Sequence, residues 1–145
     1  QMADKIVSAC GGSVGGKTIA VLGLTFKPNT DDMRDSPSLA IVPALQEAGA
    51  KIRAYDPQGM TEAAEMMPGI ELCGDAYETM EGADALAIVT EWNEFRMLDL
   101  ERAKGLLSAP LIVDLRNIYK PDEIIQAGFD YFSVGRDPVL AASAQ

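Results

Sequence analysis

Short apolar runs alternate with helix-forming segments along almost the whole chain. Runs rich in Val, Ile, Leu and Ala, bounded by Gly, Pro or charged residues, are typical of buried strands. Such runs occupy residues 18–22, 51–56, 70–73, 85–90, 111–115 and 130–134. Helix-forming segments lie between them, at residues 37–48, 60–67, 75–80, 99–107 and 121–127. The run at 85–90 is apolar at successive positions, which predicts a central parallel strand buried on both faces.

This regular alternation predicts a doubly wound α/β fold, with a mostly parallel, Rossmann-like sheet of about six strands flanked by helices. The usual order of such sheets, 3-2-1-4-5-6 with right-handed crossovers, reverses its winding between the first and fourth strands. Open α/β sheets bind ligands in the crevice at this switch point, outside the carboxyl ends of the strands. The rim of the crevice is predicted to consist of loops 24–36, 90–96 and 116–120.

The two ends of the chain depart from the α/β pattern. Residues 2–10 form a predicted helix, which the glycine-rich stretch at 11–16 ends. We interpret this region as the tail of an upstream central helix plus a linker, with an independent cap helix as the alternative. Because the chain starts with Gln1, we expect it to be a fragment of a longer protein. The predicted divisions are an upstream tail and linker at 1–16, the α/β domain at 17–136 and a flexible tail at 137–145.

The amino-acid composition excludes several classes of partner. A formal net charge of −10, from 22 acidic and 12 basic side chains, disfavours nucleic acid and anionic membrane surfaces. The sequence has no His, and Cys10 and Cys73 match no metal-binding spacing, so no metal site is expected. No apolar run approaches the ~20 residues of a membrane span, and no signal-peptide pattern is present. A cytoplasmic protein is the expectation.

Three basic residues fall on the predicted rim: Lys27, Arg34 and Arg116. In so acidic a chain they suit an anionic ligand such as a diphosphate, which Lys contacts as a point charge and Arg as a planar, bidentate donor. Local ion pairs are the alternative that the sequence leaves open. They would join Arg34 to Asp31, Asp32 or Asp35, and Arg116 to Asp114.

The turn after the first strand lacks a dinucleotide-binding fingerprint. Such a turn reads G-x-G-x-x-G, whereas this one reads GLTFKP from Gly23 to Pro28. Asp56, which ends the second strand, lies where a ribose-binding carboxylate could sit, but that role needs the missing glycines. The primary NAD site is therefore not expected in this part of the sheet.

Other side chains near the crevice are interpreted as structural. Trp92 and Phe95 follow the fourth strand and are more often core or lid residues than platforms for base stacking. Cys10 and Cys73 have no basic neighbour in the sequence that would activate a thiol, so both are interpreted as structural.

One long motif resembles a known family. The run GLTFKPNTDDMRDSP at 23–37 resembles the start of the C-terminal, UDP-binding domain of the UDP-glucose/GDP-mannose dehydrogenases, which are nucleotide-sugar 6-dehydrogenases. The similarity continues in order through AYDP at 54–57, TEWNEF at 90–95, DLRN at 114–117, GF at 128–129 and VGR at 134–136. It covers roughly residues 3–136, and the first motif is long enough to be specific.

The resemblance implies an activity and a set of roles. Full-length members have an N-terminal NAD-binding domain, a central dimerising helix and this C-terminal domain, and they oxidise the C6 alcohol of a nucleotide sugar in two NAD-dependent steps. By position, Lys27 and Arg116 resemble contacts to the UDP-sugar, and Arg34 resembles an arginine that reaches NAD. The possible crevice-lining residues are Phe26, Thr30, Asp31, Glu91, Trp92 and Asn117. The family's nucleophilic cysteine segment is absent, so no catalytic residue is expected here and the chain alone should be inactive.

The expected partners are UDP-glucose or a related nucleotide sugar, the missing N-terminal domain and, at full length, a second copy in a homodimer. GDP-mannose and UDP-N-acetyl amino sugars are alternative substrates, because relatives that act on them share part of the motif. A receiver-like signalling domain is a remote alternative. Its acidic pair would directly follow the first strand, whereas Asp31 comes eight residues after Gly23.

Overall fold

A single parallel sheet forms the centre of the molecule. The structure, a computed structural model, describes residues 2–25 and 36–135. Its strands are β1 (Thr18–Leu22), β2 (Lys51–Tyr55), β3 (Glu71–Leu72), β4 (Ala85–Ile88), β5 (Leu111–Asp114) and β6 (Asp130–Ser133). They form a six-stranded sheet in the order β3-β2-β1-β4-β5-β6, with every neighbouring pair parallel. The predicted doubly wound order, with its switch point between β1 and β4, is confirmed.

Helices lie between the strands, as the alternation predicts. They are α1 (Met2–Ala9), α2 (Ser38–Glu47), α3 (Met60–Met66), α4 (Ala76–Met80), α5 (Asn93–Arg96), α6 (Leu100–Leu106) and α7 (Pro121–Gln126). The sequence did not predict α5, because a single turn is too short to show helical periodicity. None of the helices in the described part of the chain is long and apolar enough to cross a membrane.

The ends of several elements differ from the prediction by one or two residues. β4 ends at Ile88 rather than at Thr90, because the amides of Val89 and Thr90 both turn toward the carbonyl of Leu22. α2 begins at Ser38 with Pro37 at its N-cap, one residue later than predicted. The Asp75 and Asp99 side chains cap α4 and α6 by accepting hydrogen bonds from the N–H of the third residue after each.

Buried side chains form two hydrophobic cores, one on each face of the sheet. Successive residues of β4 alternate between them, with Ala85 and Ala87 in one core and Leu86 and Ile88 in the other. All four are fully buried, so the predicted central strand is confirmed. Ile6 of α1 is also fully buried in the first core, and this helix therefore packs directly on the domain.

Candidate functional site

Three loops meet at the carboxyl edge of the sheet, where the winding reverses. The last residues of β1, β4 and β5 are neighbours in register, with Leu22 beside Ile88 and Ile88 beside Asp114. The loops that follow these strands, at 23–25, 89–92 and 115–119, therefore begin side by side. This is the predicted crevice, and its geometry depends on a small number of buried polar groups.

Asp114 shapes the loop that carries Arg116. The carboxylate is fully buried at the end of β5. Its Oδ1 accepts from the Arg116 N–H at 3.1 Å, and its Oδ2 accepts from the N–H groups of Ile118 (2.8 Å) and Tyr119 (3.2 Å) and from the Tyr131 hydroxyl (2.7 Å). Asp114 thus holds the backbone of Arg116. The alternative of a side-chain ion pair between these two residues is wrong, because the guanidinium bonds elsewhere.

The Arg116 guanidinium pairs with Glu91 from the loop after β4. Glu91 Oε2 accepts from Nη2 at 2.7 Å and from Nε at 3.2 Å. The side chains are 30% and 26% exposed, so the pair lies partly open to solvent at the crevice. Partial burial opposes ionisation of Glu91, but the hydrogen bonds and charge of Arg116 outweigh it and hold the pKa of Glu91 below its ordinary value.

Asn117, the next residue, joins two loops rather than presenting its amide to the crevice. Its backbone is left-handed, with φ of 54°, a conformation that Asn tolerates better than most residues. The side-chain Nδ2 donates to the Val134 carbonyl at 2.9 Å, and Oδ1 accepts from the Val134 N–H at 3.0 Å. Both polar atoms are therefore used to fix the loop after β5 against the end of β6.

A second buried carboxylate, Asp56, organises the other side of the crevice. Its Oδ2 accepts from the N–H groups of Leu24 and Thr25, from the Thr25 hydroxyl and from Trp92 Nε1, at 2.8–3.1 Å. Its Oδ1 accepts from the N–H groups of Gln58 and Gly59. Asp56 is fully buried and Trp92 is 6% exposed, so the interpretation of Trp92 as a core residue fits the structure.

The described residues on either side of segment 26–35 lie close together here. The hydroxyls of Ser36 and Ser38 both donate to the Leu24 carbonyl at 2.6 Å. The Thr90 hydroxyl donates to the Thr25 carbonyl at 2.7 Å. The predicted site residues Phe26, Lys27, Thr30, Asp31 and Arg34 lie outside the described residues, so the roles assigned to them remain predictions.

The described residues do not fit NAD in the manner of a dinucleotide-binding turn. A Cβ on Gly23, which has φ of +98°, would lie 2.4 Å from the Thr90 nitrogen, so Gly23 serves close packing of two loops. The carboxylate of Asp56, where a ribose contact could be expected, is fully engaged by protein donors. This geometry agrees with the missing glycine fingerprint.

Neither metal nor thiol chemistry is indicated in the described residues. No group of three His, Cys, Asp or Glu residues within 2–25 and 36–135 is arranged to hold a metal ion. Burial raises the pKa of the half-buried Cys10 thiol, although the nearby Lys17 partly opposes this shift. A thiol with a raised pKa is a poor nucleophile at neutral pH, which supports a structural role.

A cavity of about 500 Å³ lies at the opposite, amino-terminal edge of the sheet, lined by Lys51, Arg53, Glu71 and Glu81 among others. The Arg53 guanidinium donates to the carbonyls of Glu78 and Glu81, at 2.9 and 3.0 Å. These two hydrogen bonds hold the C-terminal end of α4 against β2. The cavity is remote from the crevice, and Arg116, the predicted basic site residue within the described part of the chain, does not line it.

Comparisons with known proteins agree on one group of relatives. The UDP-binding domain of the UDP-glucose/GDP-mannose dehydrogenase family matches residues 20–121. UDP-glucose 6-dehydrogenase of Rhizobium meliloti is 56% identical over 135 residues, which are 93% of this chain and 31% of that protein. UDP-glucose 6-dehydrogenase TuaD of Bacillus subtilis is 44% identical over 96% of this chain and 30% of its own length.

The solved structures show the same fold. The NDP-N-acetyl-D-galactosaminuronic acid dehydrogenase of Methanosarcina mazei superposes with a TM-score of 0.81 at 30% sequence identity. The match covers 94% of this chain and 29% of that one. The chain thus spans only about three-tenths of the length of the relatives it matches.

Proposed function

The chain belongs to the UDP-glucose/GDP-mannose dehydrogenase family, and we propose that it is the C-terminal, UDP-binding domain of a UDP-glucose 6-dehydrogenase. In this proposal the whole protein oxidises the C6 alcohol of UDP-glucose to a carboxylate in two NAD-dependent steps. This chain supplies the wall of the active site that binds the UDP part, and it supplies no catalytic residue. The 56% identity to a UDP-glucose 6-dehydrogenase supports UDP-glucose as the substrate.

The placement of Arg116 carries the proposal. In a chain with a net charge of −10, this basic side chain lies at the switch-point crevice, where doubly wound sheets bind ligands. Asp114 holds its backbone and Glu91 holds its guanidinium. The side chain therefore loses little further conformational entropy when a ligand binds. A fixed guanidinium suits the oxygens of a diphosphate, which it meets through parallel hydrogen bonds.

The remaining roles are part of the same proposal. Lys27 is the second contact to the UDP-sugar, and Arg34 reaches the NAD held mainly by an N-terminal domain. Both lie in segment 26–35, and the described residues that flank it, Leu24 and Ser36, are hydrogen-bonded to each other beside the crevice. The whole protein is proposed to be a cytoplasmic homodimer, in which the tail and linker (1–16), the UDP-binding domain (17–136) and the terminal tail (137–145) keep their predicted boundaries.

Arg116→Ala in the full-length protein tests the central contact. Loss of a charge-assisted hydrogen bond costs about 1.5–3 kcal/mol, so the KM for UDP-glucose should rise about 10- to 150-fold. NADH absorbance provides the measurement. Arg102→Ala is the matched control, because Arg102 is an exposed arginine in the first turn of α6 that lies over the Tyr77 ring. An Arg116→Ala enzyme with the native KM would refute the proposed role.

The same assay separates the candidate substrates. The full-length protein should form NADH from UDP-glucose faster than from GDP-mannose or a UDP-N-acetyl amino sugar. The 145-residue chain alone should form none, because it contributes no hydride-acceptor site and no activated cysteine. A preference for an amino sugar would move the assignment to another branch of the family, and NADH formation by the chain alone would overturn the division of roles.

A further inference from the structure

The ion pair between Glu91 and Arg116 determines which edge of the guanidinium can meet a ligand. A single oxygen, Oε2, accepts from both Nε and Nη2. A guanidinium has five N–H donors in a fixed fork. Within residues 2–25 and 36–135, Nη1 and the second N–H of Nη2 have no hydrogen-bond partner. These free donors form the end of the fork, which can bind an oxyanion through two parallel hydrogen bonds.

The carboxylate of Glu91 is only half satisfied. Its Oε1 is buried and has no hydrogen-bond partner in the described part of the chain. A buried acceptor without a donor reduces what an ion pair contributes to stability. Partly exposed pairs contribute little to stability in any case. Stability of the fold is therefore a weak reason for this pair, and its position at the crevice suggests a role in recognition.

We propose that Glu91 is a positioning residue, which holds the free end of the Arg116 guanidinium toward the diphosphate of the nucleotide sugar. This inference rests on the proposed function. Glu91 acts through Arg116, and it has two opposing effects on an anionic ligand. Its negative charge repels the ligand, whereas its two hydrogen bonds remove rotamer freedom that Arg116 would otherwise lose on binding. A test must separate these effects.

Two substitutions at position 91 separate positioning from charge. Glu91→Gln removes the negative charge but keeps an oxygen that can accept from Nε and Nη2 of Arg116. Glu91→Ala removes the charge and the acceptor oxygen. In the full-length protein, we expect the KM for UDP-glucose of the Ala variant to be about 3- to 10-fold above that of the Gln variant, as for one long side chain left free. The kcat should be equal in both, because the lost contact serves substrate and transition state alike.

Glu94→Ala is the matched control, since it removes an exposed carboxylate three residues away on α5. Its KM should stay within about twofold of the native value. Equal KM values for Glu91→Ala and Glu91→Gln would overturn the inference. A lower kcat or a lower unfolding midpoint in the Ala variant alone would do the same, because it would indicate a structural role.

Calorimetric titration of the same proteins with UDP distinguishes a failure of the proposed function from a failure of the proposed role of Glu91. The dissociation constant for UDP should follow the same order as the KM, with the Ala variant weaker than the Gln variant. A native protein that neither binds UDP nor forms NADH would overturn the proposed function itself. A native protein that does either, with no difference between the two variants, would overturn the role of Glu91 alone.

Discussion

The two sides of the crevice are each built around one buried carboxylate, Asp114 on one side and Asp56 on the other. Both are fully buried, and both lie where a strand ends. Asp114 accepts from four donors. Three are backbone amides 2, 4 and 5 positions further along the chain, and the fourth is the hydroxyl of Tyr131, 17 positions away. Asp56 also accepts from Leu24 and Trp92, which are 32 and 36 positions away.

The two carboxylates differ in how many loops they join. Asp114 folds a single loop back on its own strand, and that loop presents Arg116. Asp56 joins the loops that follow β1, β2 and β4, so it holds the two strands at the switch point together. Each carboxylate satisfies backbone N–H groups that irregular loops would otherwise leave without partners. The frame of the crevice therefore consists of two buried acids, and they support the basic residue that we propose contacts the ligand.

The largest effect is expected from Asp56→Ala in the 145-residue chain. Several buried donors lose their acceptor at once, so the free energy of unfolding should fall by about 3–5 kcal/mol. Asp114→Ala leaves fewer donors unpaired, all close to one loop, and should cost about 2–3 kcal/mol. Urea unfolding followed by circular dichroism measures both. Glu65→Ala, which removes an exposed carboxylate on α3, is the matched control and should change little.

The order of these two losses is the informative result. If Asp114→Ala destabilises the chain as much as Asp56→Ala or more, the number of loops that a carboxylate joins does not determine its contribution. The contrast between a local and a long-range anchor would then have no energetic meaning.

This contrast also explains what the sequence could predict. The strand order and the crevice followed from alternating apolar runs, because those patterns are local and the rules of connection are few. The sequence places Asp56 where a ribose contact could lie, although the glycines which that role requires are missing. Its actual role depends on Leu24 and Trp92, which only the folded sheet brings near.

The site shows the same limit. Placing Arg116 on the rim required only the strand order, and the structure puts it there. The sequence leaves open an ion pair between Arg116 and the nearest acid, Asp114, whereas the structure pairs Arg116 with Glu91. That alternative is wrong because backbone amides of the loop already engage Asp114, a competition that residue types alone do not reveal.

A smaller effect is expected when the long-range anchor loses one contact. Trp92→Phe removes the Nε1–H donor to Asp56 and some packing volume, and it should cost about 1–2 kcal/mol. Trp92 is the only tryptophan, so circular dichroism must replace fluorescence as the probe. In an Asp56→Ala background the same substitution should cost about 1 kcal/mol less, because its partner is already gone. Additive losses would show that Trp92 stabilises the crevice through packing alone.

The smallest expected effect concerns the ion pair between Glu91 and Arg116, in the loop that Asp114 holds. Because Arg116 lowers the pKa of Glu91 in the folded chain, the folded state gives up this proton more readily than the unfolded state, whose value is about 4.3. The associated stability is therefore present above that pH and is lost as the pH falls through the folded-state pKa. Glu91 is partly exposed, so the loss of stability should stay below about 1 kcal/mol.

The measurement is the urea midpoint of the native chain and of Glu91→Gln from about pH 7 to about pH 3. The midpoint of Glu91→Gln should fall less steeply with decreasing pH than that of the native chain. Glu65→Gln, an exposed carboxylate without a described ion pair, should follow the native curve. If Glu91→Gln also follows it, the ion pair at the crevice makes no contribution to stability, and the anchoring on that side comes from Asp114 alone.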